Sequence, residues 1–179
     1  PSVALYNAAG LQLQSDPQNG LLDFTVPVDG DWFVRLNDFL YKGGDDYQYR
    51  MTISTRPLID LVYPPVGKAG SNAKFTIYGR NLPGGQPSEW KTKNGRALEK
   101  KEVSIQLPSG DVRAQLNLTD YLDPRRASLD HLEYRLKSPA GISAATYVGY
   151  GEHDVIHESE GENGLPGKEQ KITAPCEFV

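Results

Sequence analysis

Residues 21–54, LLDFTVPVDGDWFVRLNDFLYKGGDDYQYRMTIS, hold three strictly alternating runs, and no other feature of the sequence restricts the fold as tightly. Leu22, Phe24 and Val26 alternate with Asp23 and Thr25; Trp32, Val34 and Leu36 with Phe33, Arg35 and Asn37; Tyr47, Tyr49, Met51 and Ile53 with Gln48, Arg50 and Thr52. Successive side chains on a strand point to opposite faces, so each run presents one face to a core and one to water. That pattern belongs to an antiparallel sheet with one solvated side.

The rest of the chain continues in short runs separated by turn residues. Residues 3–6 and 11–14 flank NAAG, a tight reversal, and Asp29-Gly30 turns the chain between the first two alternating runs. A Gly43-Gly44 pair and adjacent carboxylates make residues 39–46 a loop. Past Arg56-Pro57, strands are expected around Ile59, Leu61 and Tyr63; Ala73, Phe75 and Ile77; Val103, Ile105 and Leu107; Val112, Ala114, Leu116 and Leu118; Leu132, Tyr134 and Leu136; and over 142–150. Pro124 limits any helical turn within 120–130. Periodicity then vanishes until residues 171–173.

With 179 residues of which 38% are hydrophobic, two thin sandwiches suit the chain better than one large core. Its 18 glycines and 13 prolines fit many strands joined by tight turns. The expected fold class is therefore all-β: two antiparallel β-sandwiches followed by an extended acidic tail. No apolar run approaches the roughly 18–20 residues that span a bilayer, so no transmembrane segment is expected. The single Cys176 excludes an internal disulfide framework and a cysteine-based zinc site. The chain opens on a strand-like run without an initiating Met, and is expected to be a fragment or a processed product.

Charge is uneven: residues 1–56 carry about −3, residues 57–150 about +4 and residues 151–179 about −5. The middle segment is less basic than a nucleic-acid groove, and no nucleic-acid partner is expected. The acidic tail reads as a solvated connector.

Two family resemblances rest on these residues. Residues 3–10, 22–36 and 47–54 resemble the LxLYDxxG hairpin, the LxFTxPxDGxYxVRV block and the YxLxVS block of the bacterial pre-peptidase C-terminal (PPC) domain. That resemblance implies a jelly-roll-like sandwich, generally noncatalytic, from secreted multidomain proteins, and places the chain outside the cell, on its surface or in the periplasm. The family's first strands have no counterpart before Pro1, so the sandwich of residues 1–56 is expected to be incomplete. Residues 57–82 are similar to the opening of an immunoglobulin-like IPT/TIG domain, which implies a second sandwich over 57–150. The tail, with Glu158, Glu160 and Asn163, loosely resembles the start of a further PPC module. Alternatively, residues 172–179 supply the strand the first sandwich lacks, in the same molecule or a neighbour.

Candidate chemistry is sparse. Asp29, Asp31, Asp45 and Asp46 lie in two loops that can meet at one end of a sandwich and offer hard oxygen ligands to calcium; turn chemistry, in which Asp bonds its own backbone, explains Asp29 and Asp31 more simply. His153 and His157, with Asp154 and Glu158, have the spacing that puts two imidazoles on one helical face for zinc, against a solvated linker as the plain alternative. Trp90 stands among Lys91, Lys93, Arg96, Lys100 and Lys101, as a stacking surface or, more simply, in a solvated loop with its ring packed back on the sandwich. Asn117-Leu118-Thr119 fits a glycosylation acceptor. No nucleophile elbow, zincin helix, phosphate loop or dinucleotide fingerprint occurs, so no catalytic residue is assigned.

The expected function is a noncatalytic structural or interaction module of a secreted or cell-surface multidomain protein, or a β-rich subunit of an assembly. Its partners are other chains or neighbouring modules, engaged by strand donation. The alternative is a carbohydrate- or matrix-binding accessory module of an exported hydrolase, which requires an exposed aromatic among Trp32, Tyr41, Trp90 and Tyr121. A small hydrolase using surface carboxylates is the enzymatic alternative.

Overall fold

The computed structural model describes residues 2–17, 20–92, 95–109, 130–159, 161 and 165–179. Among these the chain is all-β, built of several mainly antiparallel sheets with no helix. The expected strand at 112–118, residues 120–129, Asn117 to Thr119, Tyr121, Lys93, Glu160 and Asn163 lie outside the described residues. The chain divides into two compact units, Pro1–Thr52 and Ile53–Val179.

The first unit is a three-stranded antiparallel sheet of β1 (Ser2–Tyr6), β2 (Gln12–Asp16) and β3 (Phe33–Asn37), in the order β2-β1-β3. The β1-β2 reversal is closed by Asn7: its side-chain carbonyl accepts the Ala9 and Leu11 amides at 3.1 and 2.9 Å, and Gly10 takes a φ of 79°. Val3, Ala4 and Leu5 of the central strand are buried. Two of the three alternating runs are not in the sheet: residues 22–26 and 47–53 carry the strand pattern but, among the described residues, pair with no strand. Period two fixes which side chains share a face; it does not supply a neighbouring strand.

The second unit is sandwich-like. One sheet contains β4 (Leu58–Tyr63), β6 (Asn72–Arg80), β7 (Gln86–Lys91) and β8 (Ala97–Gln106), in the order β4-β6-β8-β7. The other contains β5 (Val66–Lys68), β9 (His131–Tyr134) and β12 (Thr146–Gly151), in the order β5-β12-β9, with β12 antiparallel to β9 and parallel to β5. Their inner faces share one core: Val62, Phe75, Ile77, Leu82, Ile105 and Leu107 from the first side meet Leu136, Val148 and Tyr150. Alternation along β6 sends Phe75 and Ile77 inward and Lys74, Thr76, Tyr78 and Arg80 outward. The SPAG turn closes a hairpin of β10 (Lys137–Ser138) and β11 (Gly141–Ile142).

The acidic tail is not wholly a connector. β13 (Val155–Ile156) pairs in parallel with β14 (Glu177–Phe178). Glu177 and Val179 donate their amides to the Asp154 and Ile156 carbonyls at 2.9 and 3.0 Å, and Lys68 of β5 holds Asp154 at 2.6 Å. The terminal strand therefore pairs inside the second unit rather than with the sheet of the first.

Candidate functional site

Two surfaces stand out once each predicted site residue is placed. In the first unit, thirteen large apolar side chains are exposed among the described residues, from Leu11 to Met51, against a buried core of Val3, Ala4 and Leu5. Tyr41, Tyr47 and Tyr49 border an open groove with Leu36, Asn37 and Gln48. Tyr41 is 80% exposed and sits at a φ of 54°, in a loop held by Asp38, whose carboxylate accepts the Leu40 and Lys42 amides at 2.8 and 3.3 Å. Trp32 instead packs against Phe24, with ring centroids 5.4 Å apart, and its indole N–H is shielded from water without an acceptor. An unpaired buried donor carries a desolvation cost of about 1–3 kcal/mol.

The second surface is the outward face of the four-stranded sheet in the second unit. The basic stretch around Trp90 is not a loop; it is the hairpin of β7 and β8, turned where the Thr92 amide bonds the Arg96 carbonyl at 2.8 Å. Alternation then scatters its charges. Lys101 points in and donates to the Pro83 carbonyl, while Lys100 points out and pairs with Glu89 at 3.5 Å. A hydrogen bond from its own backbone amide, with Lys100 beside it, holds the Glu89 carboxyl below the usual range.

Trp90 is 55% exposed, and its ring meets Tyr78 at 6.4 Å between centroids and 66° between planes. Strand register extends the group. Tyr78 lies opposite Leu61 on β4, and Thr76 lies opposite Tyr63, so Tyr63 is the diagonal neighbour of Tyr78. Leu61 and Tyr63 are 42% and 45% exposed. The result is an apolar stripe of Trp90, Tyr78, Leu61 and Tyr63 that crosses from β7 to β4. Pairing partners of the aromatic pair were hidden in the sequence, because Tyr63, Tyr78 and Trp90 stand on three different strands.

The predicted ligand sets do not assemble. Asp29, Asp31, Asp45 and Asp46 are all exposed, and the described residues contain no group of three or more His, Cys, Asp and Glu side chains able to hold a metal ion. His153 and His157 flank the two-residue strand β13, so the two imidazoles do not share a helical face. The His157 ring lies 5.9 Å from Tyr63. Cys176 is a half-buried free thiol. Comparison of the chain with family models, curated proteins and solved structures finds no match.

Proposed function

We propose that the chain is a noncatalytic interaction and spacer module of a secreted or cell-surface multidomain protein, or a β-rich subunit of a larger assembly. The two family resemblances, PPC-like for the first unit and immunoglobulin-like for the second, belong to this reading. One observation carries it: the first unit leaves thirteen large apolar side chains exposed around a core of three. Exposed apolar area of that extent marks a surface that another polypeptide covers. The chemistry of the partner follows from the strand edges and the indole N–H left open among the described residues. Residues 22–26 and 47–53 have strand alternation without a ladder, and the Trp32 indole awaits an acceptor, so the partner is an extended segment of a neighbouring module or chain that adds main-chain hydrogen bonds.

Intact mass of the natural protein and assays for turnover test this reading. A chain much larger than 19.8 kDa supports the module, and a product near that mass supports the subunit. Hydrolysis of any peptide or glycan substrate by the chain itself overturns the noncatalytic assignment.

A second reading, a carbohydrate- or matrix-binding accessory module of an exported hydrolase, is supported by the exposure of Trp90 on the solvent face of the second unit's sheet.

A further inference from the structure

We infer that the stripe of Trp90, Tyr78, Leu61 and Tyr63 is a binding site for a neutral polysaccharide of equatorially linked pyranose units; the inference rests on the accessory-module reading. Four observations converge on that ligand.

The first is shape. The four side chains come from β7, β6 and β4 of one sheet, and β8 lies between β7 and β6. Three inter-strand steps make the stripe roughly 14 Å long, the length of about three pyranose rings. It is also narrow. Outward residues beside it on β6 are Lys74, Thr76 and Arg80; on β8 Lys100 stands opposite Tyr78, with Leu98 on its Trp90 side and Glu102 and Ser104 beyond. A protein interface desolvates a compact apolar core inside a polar rim, whereas a line one residue wide has a rim and almost no core. A chain of flat rings fits it.

The second is the aromatic geometry. Trp90 and Tyr78 meet edge to face, which makes a corner with one ring as floor and the other as wall. The C–H face of an equatorially substituted pyranose is weakly positive and apolar, and it matches the negative face of an aromatic ring.

The third is charge. Lys74, Arg80 and Lys100 on this face are balanced by Asp60, Glu89 and Glu102. Arg80 binds both Asp60 oxygens, at 2.7 and 2.9 Å, and Lys100 reaches Glu89 at 3.5 Å. Arg80 and Lys100 are thus already paired, and a polyanion gains little from them. Sugar hydroxyls, which donate and accept, suit paired donors and acceptors.

The fourth is that strand addition is blocked at the outer strand beside Trp90. β7 carries Pro87 and a register shift between Pro87 and Lys91, both of which blunt an edge against a further strand.

The test is affinity electrophoresis of the full 179-residue chain through gels containing hydroxyethylcellulose, xyloglucan or galactomannan as neutral polymers and alginate as the anionic one, in about 0.15 M salt, where a Debye length of about 8 Å screens long-range attraction. The expected result is retardation by at least one neutral polymer, weakened about tenfold or more in Trp90→Ala and in Tyr63→Ala and kept in Trp90→Phe. Leu165→Ala, exposed on the tail away from the stripe's strands, keeps wild-type retardation. Far-ultraviolet circular dichroism of each variant separates lost binding from lost folding. Retardation by a neutral polymer that Trp90→Ala leaves unchanged, or by alginate alone, overturns the stripe while the accessory-module reading stands. No retardation by any polymer overturns both, and Trp90-dependent binding of a proline-rich peptide in place of the polymers assigns the stripe to a protein partner and overturns the inference.

Discussion

Strand β4 passes β6 so closely that the Leu58 carbonyl fills the space a side chain at Gly79 would need: a Cβ there would overlap the Leu58 oxygen and lie 3.0 Å from its carbonyl carbon. The obstacle is backbone on both sides, so no rotamer change relieves it. Gly79→Ala is expected to destabilise the second unit by about 3 kcal/mol, near the upper end for overpacking. Urea unfolding followed by Trp90 fluorescence measures this. Gly84→Ala, at a φ of 74° but with open space around it, is expected to cost only about 1 kcal/mol.

Glu99 points toward the sandwich interior and accepts the Leu82 amide at 2.7 Å, while Asn81 takes the left-handed backbone that turns β6 toward β7. Glu99→Ala leaves the Leu82 N–H without that acceptor beside a buried side chain. The expected loss is about 1–3 kcal/mol in urea unfolding. Glu99→Gln retains an oxygen acceptor and is expected to recover most of it.

Asp154 ties the tail to β5. The hydrogen bond and then the charge of Lys68 hold its carboxyl below the ordinary value of 3.8. A carboxylate depressed in the folded state contributes stability that is present above 3.8 and is lost as pH falls through the folded value. Lys68→Met is therefore expected to lower the urea midpoint slightly at pH 6. That difference shrinks below pH 3.8 and disappears once Asp154 is protonated in both proteins. Since the pair is solvent-exposed, salt is expected to reduce the difference as well.

Much of the second unit was legible from alternation, because Phe75, Ile77 and Ile105 are apolar at every second position and all face one core. The first half of β8 was not. Its inward positions include Glu99 and Lys101, whose heads bond the Leu82 amide and the Pro83 carbonyl, so polar letters occupy core-side places and the run reads as a basic loop. The same error concealed β7 and the setting of Trp90. β13 and β14 are two residues each and leave no period to detect. For residues 22–26 and 47–53 the opposite happened: they have the pattern of strands but, among the described residues, no ladder strand beside them, since alternation records a face and not a neighbouring strand. Of the candidate sites, the aspartates and histidines were placed by local spacing alone, and the fold does not gather them into a metal site among the described residues.

Amide hydrogen exchange of residues 22–26 and 47–53, in the 179-residue chain alone and in the natural protein as its source makes it, tests the proposed strand-accepting role of these runs most directly. The account predicts near-unprotected amides in the chain alone, where β6 and β8 are protected, and slow exchange of both runs in the natural protein. Strong protection of both runs in the monomeric chain alone, or none in either sample, would contradict it.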